Sequence, residues 1–269
     1  MKSVFRYIFP LCLVLASAPA PAQPSARALL DKARDNLASA PAIRRVDTVE
    51  QSTAVLVDGR RIEQVPTTNV MTIAIDRVNH LARQTAAIQG NPVIMLKQGE
   101  KAAMKIGAGS WELPTGAYEK MAEDMGNLFV CEVETPESGR NAPAWKVTGT
   151  ELIGGQEAFV VETEGNTAVP IAQERMSKGI AKASSGNPAG QPTVSVLEYS
   201  SKPWIDKADY RHVQAIQISK LQLKIALPGG KEQLIEQSSK ATSRYSFEKV
   251  TIEIPEEAQK VLSPGNRVP

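Results

Sequence analysis

Hydrophobic and polar residues alternate with a period of two through most of this chain, a pattern typical of β-strands with one buried face. The first such region covers Val49 to Val57 and Ile62 to Val65, on either side of Asp58-Gly59. An Asp-Gly pair between two such runs favours a tight hairpin turn. Four further short runs follow with turn residues between them, which predicts an antiparallel meander; they cover residues 70–75, 81–88, 93–97 and 102–106.

The second half of the chain shows the same period and predicts more strands. In one predicted hairpin, Trp204 ends a strand, Asp206 to Asp209 form a tight turn, and Tyr210 begins the next strand. Aspartate favours such turns because its carboxylate accepts hydrogen bonds from nearby backbone N–H groups. The other predicted strands lie at residues 145–150, 158–161, 194–199 and 221–227, in a weak Ser-, Thr- and Gln-rich run after residue 230, and at Val250 to Ile254, where Pro255 stops the last strand.

Three segments change to a helical period. Ser25 to Leu37 places apolar residues on one face behind a serine that suits the N-cap. Pro114 to Phe129 carries an apolar stripe opposite a charged one. Ile171 to Ala183 predicts a short polar helix inside residues 165–193, a stretch whose Gly, Ser, Asn and Pro content otherwise predicts a flexible insertion.

The central strands of the meander are apolar at nearly every position rather than at alternate ones. Val70 to Ile75 and Val93 to Leu96 both show this pattern, whereas an antiparallel sheet with one face in water should alternate. Both faces of these strands are therefore shielded, either by helices or, on one side, around an apolar cavity. Met121 and Met125, one turn apart on the second helix, offer either an adaptable binding surface or ordinary core.

Residues 1–22 have the pattern of an export signal. Lys2 and Arg6 precede an apolar run, and Ala20-Pro21-Ala22 supplies the small residues that signal peptidase needs, which predicts cleavage before Gln23. The alternative, a membrane anchor, needs an apolar run of about 20 residues. Residues 7–16 are too few for that. We expect residues 23–269 to form one exported domain.

The charges of the mature chain balance. The chain has 31 basic and 29 acidic residues; removal of Lys2 and Arg6 leaves 31 − 2 = 29 of each. A balanced charge argues against a nucleic-acid partner, since nucleic-acid-binding domains normally carry a strong basic excess. Cys131 would be the one cysteine left after cleavage, so an internal disulfide is excluded. We expect it to be buried; an intermolecular bridge and a reactive thiol are the alternatives.

Sequence motifs for catalysis or cofactor binding are missing. His80 and His212 stand alone, without Cys or carboxylate at metal-ligand spacing, and are expected to be solvated or hydrogen-bonded structural residues. Gly107 to Trp111 has the wrong order for a nucleophile elbow. No phosphate loop or dinucleotide fingerprint follows a predicted strand. The sequence therefore predicts a protein without catalysis, metal or cofactor; an enzyme with an unrecognised site is the alternative.

Five pieces of the chain follow one another in a distinctive order: Gly109-Ser110-Trp111, the helix with Met121 and Met125, residues 149–159, Trp204-Ile205-Asp206, and Ile252 to Ala258. This order of elements resembles that of the LolA-like periplasmic carriers of lipoproteins and lipids. The resemblance implies a mainly β fold, a curved antiparallel half-barrel with helices covering the concave face. It also implies a location in the periplasm and an apolar concavity for acyl chains. The long 165–193 stretch departs from the compact family pattern.

The resemblance and the residues together predict an exported, monomeric carrier. Its partner would be the acyl chains of a lipoprotein or lipid. The alternative is an envelope protein-binding or stress-sensing module of the same fold, whose concavity would be filled by its own side chains. The apolar ligand site is expected to be lined by Met71, Ile73, Met95, Trp111, Met121, Met125 and Phe129.

Overall fold

The computed structural model describes residues 24–57, 59–88, 90–128, 143–183, 192–226 and 232–263. Phe129 and Cys131 lie outside these ranges. The helices in the described ranges are α1 (Ala26–Ser39), α2 (Ala117–Leu128), α3 (Val169–Ala183) and α4 (Glu256–Leu262). The strands are β1 (Ala42–Val57), β2 (Arg60–Glu63), β3 (Thr67–Asp76), β4 (Leu81–Ile88), β5 (Asn91–Gln98), β6 (Lys101–Ile106), β7 (Trp145–Ile153), β8 (Gln156–Thr163), β9 (Thr193–Asp206), β10 (His212–Ala226) and β11 (Glu232–Ser246).

These strands form one curved, open antiparallel sheet, which confirms the predicted half-barrel class. Its order is β6-β5-β4-β3-β1-β11-β10-β9-β8-β7, with β2 paired to the end of β1. Two meanders therefore run outward from the middle, where β1 pairs with β11 from Arg44↔Ser246 to Leu56↔Leu234. The Ser-, Thr- and Gln-rich run that reads as a weak strand is β11, and it lies at the centre of the sheet.

Both faces of the sheet carry buried apolar side chains. The face that carries Ile73, Met95 and Ile205 packs against α1 and α2, and we call it the helix face. The opposite face carries Leu96, which packs against Ala258 of α4. Because Met95 and Leu96 are adjacent on β5, their side chains leave opposite sides of the strand. The unbroken apolar run at residues 93–96 is thus explained by cover on both faces.

Helix α1 begins and docks as its sequence predicts. Ser25 caps it by accepting a hydrogen bond from the backbone N–H of Ala28 at 3.2 Å. At its other end, Asn36 donates to the backbone carbonyl of Asp209 at 2.6 Å. That carbonyl belongs to the predicted hairpin turn, in which Asp206 Oδ1 accepts the backbone N–H groups of Ala208 and Asp209 at 2.6 and 3.2 Å. The hairpin is confirmed, and it fixes the end of α1.

Helix α3 occupies much of the 165–193 stretch and packs against the helix face. Ala172 lies in a cluster with Val196 and Tyr199 of β9. Strands β8 and β9 pair only from Ala158↔Asp206 to Val160↔Trp204, so the other half of β9 lacks a strand partner on that side. The side chain of Gln173 replaces one: it donates to the carbonyl of Val194 and accepts from the N–H of Val196, both at 2.7 Å.

The prediction of a closing strand at Val250 to Ile254 is wrong. This segment has no regular structure, and Pro255 precedes helix α4 instead of ending a strand. The place beside β1 and β10 that a last strand could fill is taken by β11. Ile252 is nevertheless buried, because the segment lies against Leu96 on the opposite face of the sheet. The alternation of apolar and polar residues at 250–254 therefore reflects burial of one side of the segment and not pairing with another strand.

Candidate functional site

Five of the seven residues expected to line an apolar site come together between α2 and the helix face. Sequence reasoning missed a sixth member, Met104, which lies in the Ala102 to Ile106 strand; it pairs with Met95 across β5 and β6. We call this group the methionine cluster. Its members are Met71 on β3, Ile73 on β3, Met95 on β5, Met104 on β6, and Met121 and Met125 on α2.

The methionine cluster is closely packed by the side chains of the protein itself. Met95 and Met125 are completely buried, and Met104 is 2 % exposed. Met71 and Met121 are half-buried at its margin. An interior of this kind excludes water without a ligand, so an apolar guest has to displace or rearrange side chains in order to enter.

The distribution of methionine in the chain is uneven. The chain has seven methionines, and five of them belong to the methionine cluster. Met176 packs with the α3 cluster on the same face of the sheet, and Met1 starts the predicted signal peptide. Methionine is unbranched and polarizable, and it adapts to irregular or changing surroundings more readily than leucine does. The helix face therefore has an interior that can change shape at low cost.

Trp111 does not join the methionine cluster. The residue after it, Glu112, forms an isolated antiparallel bridge with Met104 at the edge of the sheet. Since neighbouring residues in an extended segment point to opposite sides, Trp111 faces away from Met104. It packs on the opposite face with Leu96, Ile252 and Ala258. The expected ligand-lining residues are thus divided between two sides of the sheet.

Polar side chains attach the methionine cluster to its surroundings. Lys97, 8 % exposed, donates to the carbonyl of Ala122 on α2 at 3.4 Å. Gln84 on β4 donates to the thioether of Met71 at 3.0 Å. The cluster is thus bordered by one bond that holds the helix and one that orients a methionine. Neither arrangement has a signal in the local sequence, because each joins residues that are far apart in the chain.

The centre of the helix face holds buried ionic and polar groups. Arg45 donates through Nε to Asp47 Oδ2 at 3.0 Å and reaches the same oxygen through Nη2 at 2.9 Å. Asp47 is 6 % exposed, and within the described part of the chain its buried Oδ1 has no hydrogen-bond partner. Elsewhere on this face, Ser219 and Ser239 share a hydrogen bond at 2.8 Å. The helix face is therefore apolar under α2 and polar at its centre.

His212 differs from the expected solvated or hydrogen-bonded histidine. It is 3 % exposed, and both ring nitrogens are buried without a hydrogen-bond partner among the residues that the structure describes. Burial lowers the pKa of His212 to about 4, because the charged imidazolium is poorly solvated there. The ring contacts Tyr245.

Within the described ranges, no three His, Cys, Asp or Glu side chains gather as they would around a metal ion.

The solved structures that are similar to this chain include three at low sequence identity. A DUF1329 family protein from Desulfovibrio piger is 10% identical over 83% of this chain and 92% of that one, with a TM-score of 0.26. A structure describing lipid–protein interactions in lipovitellin gives 12% identity over 80% of this chain, with a TM-score of 0.32; this chain spans about a quarter (26%) of the lipovitellin chain. The YwiB protein of Bacillus subtilis gives 5% identity over 73% of this chain and 92% of that one, with a TM-score of 0.19.

TM-scores this low carry no argument about function. No protein-family model and no curated protein sequence matches the chain. The LolA-like group therefore remains a resemblance of the sequence.

Among the residues that the structure describes, no helix has the length and apolarity that crossing a membrane requires.

Proposed function

We propose that this protein is an exported periplasmic carrier that holds acyl chains of a lipid or lipoprotein between α2 and the helix face. The methionine cluster is the observation that carries the proposal. Five methionines at one helix–sheet interface provide a surface that an acyl chain can enter by side-chain rearrangement. Each buried methylene of the guest contributes roughly 0.8 kcal/mol, so a chain of ordinary length binds without any polar contact.

Helix α2 would act as the cover of this site. It contacts the sheet mainly through apolar side chains, including Tyr118, Met121 and Met125. The bond from Lys97 to the carbonyl of Ala122 holds its middle. Apolar contacts to a guest can replace apolar contacts to the sheet at little cost, whereas the Lys97 bond keeps the helix attached. Such exchange needs no proton transfer, and the proposal includes no catalytic step.

The first test is native mass spectrometry of the mature protein purified from its own periplasm, followed by organic extraction. The proposal expects an added mass that extracts as acyl-chain material. It also expects a fluorescent fatty acid to bind the delipidated protein and to be displaced by unlabelled lipid. A protein that is free of extractable lipid and does not bind the fluorescent probe would contradict the proposal.

A pair of variants tests the position of the site. Replacing Met121 and Met125 together by Glu puts two charges under α2, which should abolish retention of the acyl probe. The matched control is Leu152→Glu, because Leu152 is 72% exposed on β7. Circular dichroism of the sheet should be unchanged in both proteins. Full retention of the probe by the methionine double variant would exclude α2 as the cover.

The second candidate function is an envelope protein-binding module. The complete burial of Met95 and Met125 favours it, because a cluster filled by the protein's own side chains is what that alternative predicts. It expects a protein partner to co-purify with the mature chain in place of lipid. Cross-linking in the periplasm followed by mass spectrometry separates the two: the carrier gives extractable lipid, and the module gives a stoichiometric protein adduct.

A further inference from the structure

The opposite face of the sheet contains a groove that the proposed carrier function does not use. It has a volume of about 520 Å³ and lies between strands β4 to β6 and the segment that enters α4. Its apolar floor is formed by Ile94, Leu96 and Trp111. This size falls within the range of about 300–1,000 Å³ that is usual for small-molecule sites. We call it the outer groove.

Two basic side chains stand on the sheet side of the outer groove. Arg83 on β4 pairs with Leu96 on β5, and Lys105 on β6 pairs with Ile94 on β5. Cross-strand partners point to the same face, so both cations rise beside the apolar floor. They lie on the two neighbours of β5, at a strand spacing of roughly 4.8 Å. Because Leu96 and Ile94 are also two residues apart along β5, the backbones of Arg83 and Lys105 are roughly 12 Å apart across the floor.

Acidic side chains stand on the other side of the groove. Glu253 and Glu257 come from the segment that ends in α4, and both are exposed. In the described part of the chain, neither carboxylate forms a salt bridge or hydrogen bond, and the same holds for Arg83 and Lys105. Cations and carboxylates thus line one groove without contacting each other. A guest with both charges could neutralise both sides at once.

We propose that the outer groove binds a short peptide of about three residues with a free carboxylate, a free ammonium group and an apolar side chain. The carboxylate would meet Arg83 and Lys105, since a guanidinium binds carboxylates in a fork. The ammonium would meet Glu253 and Glu257. The apolar side chain would lie on Trp111. A tripeptide carries its carboxylate and its ammonium at opposite ends, roughly 10 Å apart when it is extended, in the same way that the cations and the carboxylates stand on opposite sides of the groove.

This inference does not rest on the acyl-carrier proposal. The methionine cluster lies on the helix face, and the sheet separates it from Leu96 and Trp111. A variant of one site therefore leaves the other intact. The Met121 and Met125 double variant should lose lipid binding and keep peptide binding. Substitutions at Arg83 should weaken peptide binding and leave lipid binding unchanged.

Calorimetric titration of the mature protein tests the proposal with trileucine and three related probes. N-acetyl-trileucine lacks the ammonium, trileucine amide lacks the carboxylate, and dihexanoyl phosphatidylethanolamine carries both charges on a lipid. Trileucine should bind, and each analogue with one charge removed should bind about twofold to fivefold more weakly, the usual range for exposed ion pairs. Binding of the phosphatidylethanolamine without binding of trileucine would overturn the peptide assignment in favour of a lipid headgroup.

Charge substitutions provide a readout that a structural role would not change. Glu253→Gln with Glu257→Gln should abolish the preference for trileucine over its acetylated form and retain the preference over its amide. Arg83→Gln with Lys105→Gln should do the reverse. Lys146→Gln, an exposed cation on β7, is the matched control and should change neither preference. If trileucine shows no measurable heat, or if its binding is the same in both double variants, the groove is only a solvated surface and the proposal fails.

Discussion

The imidazole of His212 lies against the phenol ring of Tyr245, with 5.4 Å between the ring centroids and an angle of 34° between the planes. His212 opens β10 and Tyr245 is near the end of β11. Neither ring nitrogen of His212 has a hydrogen-bond partner in the ranges that the structure covers. The contact is therefore one of packing, and burial keeps the histidine neutral because a charged imidazolium is poorly solvated there.

This neutral histidine should make the protein less stable in mild acid. The pKa is about 4 in the folded protein and about 6.5 in the unfolded chain. Its contribution to stability is therefore complete above pH 6.5 and is lost as the pH falls towards 4, since only the unfolded chain binds the proton in that window. Between pH 7 and 4.5 the loss amounts to roughly 2.5 kcal/mol.

Urea unfolding of wild-type protein and of His212→Leu at both pH values measures this effect. The difference in unfolding free energy between pH 7 and 4.5 should be smaller in His212→Leu by that amount, whatever its absolute stability. His80 is exposed, with a backbone φ of 53° that asparagine also tolerates, so His80→Asn should behave as wild type. An equal acid response in His212→Leu and wild type would show that His212 is not the responsible group.

Replacing Arg45 alone should lower the stability of the protein much more than replacing Arg45 and Asp47 together. Arg45→Met leaves a carboxylate that is 8% exposed without its cation, and we expect a loss of about 3 kcal/mol. The double variant with Asp47→Leu removes the stranded charge and should recover most of that loss. Thermal and urea unfolding of the wild type, the two single variants and the double variant measures the loss of stability and its recovery.

A surface pair provides the control for that cycle. Arg34 and Asp35 on α1 form an ion pair with side-chain exposures of 33% and 71%. Exposed pairs of this kind contribute about 0–1 kcal/mol, so Arg34→Met should have little effect. If Arg45→Met were as mild as Arg34→Met, the ion pair between the half-buried Arg45 and the buried Asp47 would have no structural role beyond its packing.

Local patterns in the sequence were sufficient to predict the elements whose structure depends on near neighbours. Ser25 caps α1, and Asp206 closes the hairpin through its own carboxylate. Both interactions join residues within three positions of each other, so spacing alone indicates them. The stripe of Met121 and Met125 likewise predicted which side of α2 is buried, because helical period and burial are directly linked.

Features that depend on distant strands could not be predicted in this way. Trp111 points away from the methionine cluster because Glu112 pairs with Met104. Ile252 packs outside the sheet because β11 fills the central position. In each case the residue is apolar and partly or fully buried as expected, but the face it occupies is decided by sheet register. A one-residue difference in register reverses the face, and no local pattern records it.

Gln173 should be the main polar attachment of α3 to the sheet. Its amide makes two bonds of 2.7 Å to the backbone at Val194 and Val196. Gln173→Ala leaves both backbone groups without that partner, and we expect a loss of about 1–3 kcal/mol. Amide hydrogen exchange at Val196 should accelerate more than exchange in β1. Glu174→Gln, on the exposed side of α3, is the control, and unchanged exchange at Val196 in Gln173→Ala would contradict this role.

Ala258 should decide whether α4 stays on the opposite face of the sheet. It is completely buried and packs against Leu96 and Ile252, so Ala258→Glu places a charge where the helix meets the sheet. Burial of an unpaired carboxylate is costly enough that the helix should detach instead, with a loss of roughly 2–4 kcal/mol from the exposed apolar surface. Urea unfolding measures the loss, and hydrogen exchange in residues 256–262 locates it. Gln259→Glu, one position on and exposed, should be neutral; equal stability of the two variants would mean that α4 does not stabilise the sheet.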